Sequence, residues 1–226
     1  MRPLPEIDAR GLGRRHPSSS DWLLNNASLH VRSGDRLAVV GPSGSGKTLL
    51  LRALALLDPL DAGSVLWRDK PVSGNRVPQY RSHVMYVHQR PAPMEGIVEQ
   101  NLRQPFELAV HRNRQFDRDR VVRALKHLGR DPSFLSKSSR DLSGGESQIV
   151  ALLRAIQLDP VVLLVDEPTA ALDGDAAAAV ETLVLSWLEE QPERRATVWV
   201  SHSPAQSARV ARTILRMDKG RLINDA

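Results

Sequence analysis

Residues 36–51 read RLAVVGPSGSGKTLLL. The apolar run Leu37 to Val40 predicts a buried strand, and the apolar residues from Leu49 onward predict a helix. Between them stand Gly41, Pro42, Ser43, Gly44, Ser45, Gly46, Lys47 and Thr48, which match G-x-x-x-x-G-K-[ST]. That pattern carries weight only between a strand and a helix, which is the context here. Glycines let the backbone approach a ligand closely. Successive N–H groups then face one concavity, a nest that suits phosphate oxygens. The helix starting near Gly46 adds the positive end of its dipole. Lys47 offers a point charge to the β- and γ-phosphates of a nucleotide, and Thr48 a hydroxyl to Mg2+. A Gly/Ser-rich turn before an ordinary helix rarely meets every fixed position of the motif with both flanks in place.

Composition narrows the surroundings of this loop. The 226 residues allow one or two domains, with ample material for a core. There are no cysteines, which excludes disulfides, thiolate catalysis and Cys-ligated zinc or iron–sulfur sites. The formal net charge is +5, and the isoelectric point is about 10.1. A basic balance suits nucleic acid or an anionic membrane surface. Only five of the 31 basic residues are lysine, however, and the arginines are scattered. The densest cluster, His111 to Arg114, runs on into Asp117–Arg120, where acids interrupt it. The charge therefore reads as an arginine-rich composition rather than a compact basic patch. No window approaches 18 consecutive apolar residues. No signal-peptide apolar run is seen near Met1, so any membrane-spanning part is expected from another chain.

Outward from the loop, strands and helices alternate. Ile7 to Leu12 and Ala27 to Val31 predict strands around a polar loop, Pro17 to Asp21. His16 and Trp22 flank that loop; either ring could stack on an adenine, though Trp22 could equally cap a core and His16 could simply be exposed. Further strands are expected at Gly63 to Trp67 and at Val84 to His88, with Gln89 at the end of the latter. The Gly-, Pro- and Asn-rich residues between them read as a loop. Helical stretches are expected near Ile97 to Val110 and Asp117 to Leu128, as an insertion in an α/β fold. At 143–158, Ser143 can cap a helix with Glu146 three residues on, a capping box. Gly144 and Gly145 in its first turn could also seat an anion. The run VVLLV at 161–165 reads as a strand buried on both faces. It delivers Asp166 and Glu167 to the carboxyl end of a parallel sheet, where such sheets bind ligands. Asp166 could hold Mg2+ there, and Glu167 could polarise an attacking water. An Ala-rich helix (Asp173 to Glu190), a strand ending in Ser201 and His202, another helix and two terminal strands complete the series. Such alternation implies a mainly parallel sheet.

In chain order the chemistry-bearing segments are GPSGSGKT at 41–48, Gln89, LSGGE at 142–146, VVLLVDE at 161–167, Asp173 and His202. This set closely resembles the nucleotide-binding subunit of an ABC transporter over nearly the whole chain. LSGGE ahead of the Asp-Glu pair is far more specific than the phosphate loop alone. The resemblance implies a P-loop NTPase ABC-cassette fold of α/β class. Its parts are a mainly parallel core sheet, an N-terminal antiparallel β-subdomain and an inserted helical subdomain. It implies a single ABC ATPase domain over 1–226. Residues 1–89 and 159–226 form the RecA-like core with the β-subdomain, and 90–158 form the helical signature subdomain. ATP and Mg2+ are the implied ligands, with Thr48, Gln89 and Asp166 at the metal. Glu167 is implied as general base and His202 as sensor of the γ-phosphate. Two chains would sandwich ATP head to tail, with Ser143, Gly144 and Gly145 of one copy closing on the phosphates held by Lys47 of the other. Asp173 would tie the two sites together. His16 aligns better than Trp22 with the family's adenine-stacking aromatic.

The implied partners are a transmembrane permease subunit and a second copy of the chain, with no stable nucleic-acid partner. The implied location is peripheral, on the cytoplasmic face of the cell membrane. Residues 101–106 with 111–114 look like the small ATPase subunits of bacterial iron or metal export systems. A soluble ABC-type ATPase acting on nucleic acid or protein assembly is the alternative. Three positions depart from the family pattern. His16 stands where a larger aromatic is usual, Ser147-Gln148-Ile149 replaces a Gln-Gln-Arg-like run, and Ser203 replaces an Asp.

Overall fold

In the computed structural model, residues 6–223 are described. The first five and last three residues of the expected 1–226 domain lie outside the described residues. The central sheet contains β3 (Arg36–Val40), β6 (Val84–Val87), β7 (Val162–Asp166), β8 (Ala196–Val200), β9 (Thr213–Asp218) and β10 (Arg221–Ile223). Its order is β10-β9-β3-β8-β7-β6. The pairs β9–β3, β3–β8, β8–β7 and β7–β6 are parallel; only the β9–β10 pair within it is antiparallel. Every residue of β7 and β8 is buried, as strands covered on both faces require. A second sheet is wholly antiparallel. It contains β1 (Ile7–Arg15), β2 (Trp22–Val31), β4 (Ala62–Trp67) and β5 (Lys70–Pro71) in the order β2-β1-β4-β5.

The helix α1 (Lys47–Leu54) rises directly from the phosphate loop. Leu50, Leu51 and Leu54 are fully buried, each worth roughly 1.5–3 kcal/mol against exposure. They join a core shared by both sheets, with Ile7, Leu12, Leu24, Val39 and Val198. A second core lies on the other side. There α3 (Val98–Arg103), α4 (Arg118–His127), α5 (Gly144–Ile156) and α6 (Gly174–Glu189) meet Leu163, Val165 and Trp199 of the sheet. The last helix, α7 (Pro204–Val210), buries Val210 in this core too.

Several elements differ from the sequence expectation. Strands β1 and β2 run further toward each other than Ile7 to Leu12 and Ala27 to Val31. Register shifts between Ala9 and Arg15 accommodate their bend. The stretch read as a loop before β6 contains α2 (Arg76–Arg81), with Pro78 near its start and Tyr80 buried. The helix expected over 97–110 stops at Arg103 and continues as two 3-10 turns, Gln104–Glu107 and Ala109–His111. Pro105 explains the stop: it has no N–H to donate, and its ring crowds the preceding turn.

Candidate active site

Gly41 to Gly46 join β3 to α1, and geometry accounts for two of the glycines. Gly46 caps α1 with φ 103°. A Cβ on Gly41 would lie 2.1 Å from the Met217 carbonyl oxygen, so no side chain fits between the loop and β9. Lys47 is the first residue of α1 and is buried. Its Nζ donates to the carbonyls of Gly41 (2.9 Å) and Pro42 (2.8 Å), so the ammonium is already drawn back across the loop. Burial lowers the Lys47 pKa, and Glu167 and Asp166 oppose that shift.

Asp166 ends β7 and is fully buried. Its Oδ1 accepts from Thr48 Oγ1 at 3.2 Å and its Oδ2 from Tyr86 Oη at 2.7 Å. Glu167 follows with φ 45°, a left-handed conformation that is costly for a residue with a side chain. Its N–H is anchored on the Val200 carbonyl at 3.1 Å. That twist turns the carboxylate toward the loop. Glu167 Oε2 accepts from Gln89 Nε2 at 2.9 Å, and Oε1 lies 2.8 Å from His202 Nε2. One cavity of about 280 Å³ is lined by Ser43, Gly44, Gly46, Lys47, Thr48, Leu49, Gln89, Glu167 and His202. Carboxylate, amide, imidazole, ammonium and hydroxyl thus converge from the ends of β3, β6, β7 and β8. A phosphate chain in the loop would meet positive charge and N–H groups, and the Glu167 carboxylate would face its far end. The oxygen donors Thr48 and Asp166 are of the hard type that Mg2+ takes together with phosphate oxygens.

Other expected site residues stand elsewhere. Pro42 is exposed and Ser45 is buried, and neither lines the cavity. Ser143 caps α5 as a complete capping box: its Oγ accepts from Glu146 N at 3.2 Å, and its N–H donates to Glu146 Oε2 at 2.8 Å. Lys137 Nζ holds the same glutamate at 2.8 Å. Ser143 and Gly144 are exposed, and no residue of the LSGGE segment lines the cavity. Gly145 is packed so tightly that an added Cβ would lie 2.7 Å from the Ala171 carbonyl oxygen. Asp173 caps α6 through Ala176 N at 2.8 Å and is exposed. His16 lies exposed in the turn after β1, with its Nδ1 accepting from Ser18 N at 3.1 Å, and it does not line the cavity. Trp22 begins β2; the Arg15 guanidinium sits 4.2 Å from its ring centroid, and Gly13 leaves room for its edge.

Two contributors were not singled out from sequence. Gln148 is buried in α5 and donates from Nε2 to the carbonyls of Gln89 (3.0 Å) and Glu167 (3.3 Å). Its Oε1 accepts from Ala171 N at 3.2 Å. One amide thus pins three loops around the site, in the segment noted only as departing from the family pattern. The signal was there: a glutamine on the buried face of an apolar helix needs partners. Tyr86 is the second, hidden because a tyrosine suits an apolar strand without its hydroxyl having any task.

Comparison with known proteins agrees with this geometry. The profile of the ABC transporter family matches residues 24–170. Protein STAR1 of rice, Oryza sativa subsp. japonica, is 35% identical over 219 residues, covering 97% of this chain and 62% of STAR1. The probable iron export ATP-binding protein FetA of Escherichia coli K12 is 36% identical over 180 residues, covering 80% of this chain and 78% of FetA. The chain thus spans less than two thirds of the rice relative. Among solved structures, the dimeric ATP-binding cassette MJ0796 bound to ADP and Pi superposes with a TM-score of 0.83. It covers 96% of this chain and 97% of its own at 23% identity, a likeness of fold. The cavity at the strand ends, the LSGGE helix outside it and the family match over residues 24–170 agree, and the chain belongs to the ABC transporter family.

Proposed function

We propose that this chain is the ATP-hydrolysing subunit of a membrane transporter, working as an ATP-sandwiched dimer on separate transmembrane subunits. The observation that carries the reading is the Glu167 carboxylate, held between Gln89 and His202 over the phosphate loop. In this reading the loop N–H groups and Lys47 bind the β- and γ-phosphates. Lys47 exchanges its Gly41 and Pro42 carbonyls for phosphate oxygens. Thr48, Asp166 and Gln89 would hold Mg2+, which when bound would supply positive charge against the transferred phosphoryl group. Gln89 and His202 each take one oxygen of Glu167, which fixes the carboxylate's orientation and leaves an acceptor site on each oxygen for an attacking water. His202 then faces the γ-phosphate. His16 stacks on the adenine from the rim.

Ser143 and Gly144, exposed at the start of α5, support a site completed in trans. Ser143, Gly144 and Gly145 of a second copy close on the γ-phosphate, with Asp173 between the two sites. A two-fold pair makes two equivalent sites this way. ATP then favours the closed pair by binding it better than the open one, and hydrolysis removes the bridging group. Residues 90–158 act as a helical lever on a core formed by 1–89 and 159–226.

The permease segment docks in a groove of about 560 Å³ beside Gln89, lined by Leu57, Tyr86, His88, Pro91, Pro105 and Arg154 among others. Arg81, Arg90 and Arg154 line it with no carboxylate, so the docking segment brings an acid. No described helix is long and apolar enough to cross a membrane, and a peripheral place on the cytoplasmic face follows from docking. Relatives named for iron export, di/tripeptide transport and sulfate/thiosulfate import are 36%, 35% and 34% identical, too even to rank them. The test is steady-state ATP turnover. Glu167→Gln should abolish it while ATP still binds; retained turnover would overturn the assignment of Glu167.

A further inference from the structure

Tyr86 lines the docking groove and is joined through Asp166 to Thr48 of the catalytic cavity. It lies on β6, where it pairs with Leu164 of β7. Its ring lines the groove and meets His88 edge-on, with centroids 5.1 Å apart at 70°. Its hydroxyl runs along the same face of the sheet to Asp166 Oδ2 at 2.7 Å. The buried carboxylate therefore has one hydroxyl donor on each oxygen: Thr48 on Oδ1 at 3.2 Å and Tyr86 on Oδ2. Two donors on opposite oxygens fix the rotation of a carboxylate; one donor leaves it free to turn.

We propose that Tyr86 is a positioning residue for the metal site: its hydroxyl orients Asp166 so that Oδ1 stays with Thr48 and the Mg2+ position is pre-formed. Nothing in the apolar strand calls for a hydroxyl, since phenylalanine would pack there equally well. The second oxygen of a fully buried carboxylate does call for one. The proposal rests on the reading of Asp166 as a carboxylate that holds Mg2+.

The probe is Mn2+, titrated by electron paramagnetic resonance into full-length protein saturated with a non-hydrolysable ATP analogue. The analogue alone gives the baseline. Tyr86→Phe should weaken Mn2+ binding about tenfold, the lower end of what outer partners of metal ligands contribute. Analogue affinity measured in EDTA should stay unchanged. Tyr80→Phe is the control. Tyr80 is buried and donates only to the Leu54 carbonyl, so its loss should lower the melting temperature and leave Mn2+ binding at the wild-type level. Asp166→Asn separates the two layers of the argument. If it abolishes the protein's share of Mn2+ binding while Tyr86→Phe leaves that share intact, the role of Tyr86 falls and the site stands. If Asp166→Asn itself changes nothing, the reading of the metal site falls and the proposal with it.

Discussion

Gln148→Met is the sharpest probe of how the site is held together. Methionine keeps the length and volume of the side chain and removes its polar end. Three hydrogen bonds go: two to the carbonyls of Gln89 and Glu167, at 3.0 and 3.3 Å, and one from Ala171 N, at 3.2 Å. Each buried group left without a partner costs about 1–3 kcal/mol. The Glu167 carbonyl keeps a second donor, Ala170 N at 3.2 Å, and all three bonds are part-buried, so water can reach the freed groups. The expected loss of stability is therefore about 1–2 kcal/mol. The functional cost is separate. Gln89 and Glu167 would lose their common anchor, and a 1 Å misplacement of reacting groups costs on the order of 100-fold. Urea unfolding followed by tryptophan fluorescence reads the first quantity, since Trp187 and Trp199 are buried in the same core. Steady-state ATP turnover at saturating nucleotide reads the second. A variant within about 0.5 kcal/mol of wild type and with unchanged kcat would refute the reasoning.

Further outcomes follow from packing and charge. Gly145→Ala puts a methyl 2.7 Å from the Ala171 carbonyl and the Leu172 side chain, so it should destabilise by about 1–3 kcal/mol. Gly144→Ala meets only Ala171 Cβ, at 3.5 Å, and should fold normally in thermal melts yet lose ATP turnover, because the methyl crowds the seat proposed for the partner's phosphate. Glu181 is buried; bonds from Arg209 hold its pKa below the ordinary 4.5 against the opposing effect of burial, with help from Gln206. A depressed carboxylate stabilises the fold above its unfolded pKa, and that contribution fades as pH falls through the folded one. Melting temperature should therefore drop as pH falls below about 4.5, and Glu181→Gln should flatten that slope; an identical slope would count against the ion pair.

The legible parts of the sequence were those where local chemistry and fold demand the same residues. The phosphate loop, the Ser143–Glu146 capping box and the fully apolar run before Asp166 each carry their own context, and each was found as expected. What escaped depended on distant partners. Periodicity could not find α2, six residues long, inside a stretch rich in turn formers. It placed the helix end after 103 wrongly because the apolar pattern continues through Pro105 while the hydrogen bonding cannot. The lengths of β1 and β2 depend on bulges, which shift register without changing composition. Gln148 and Tyr86 became visible only once the groups needing them, Ala171 N and Asp166 Oδ2, were in place.

The central claim is that the phosphate loop of one copy and the LSGGE segment of another make one site, so that ATP holds two chains together. Light scattering on Glu167→Gln during size-exclusion chromatography tests it most directly. With ATP present the mass should be twice the 25.0 kDa of the chain, and with ADP it should return to one chain. A species that binds ATP and stays at 25.0 kDa at every protein concentration would contradict the claim.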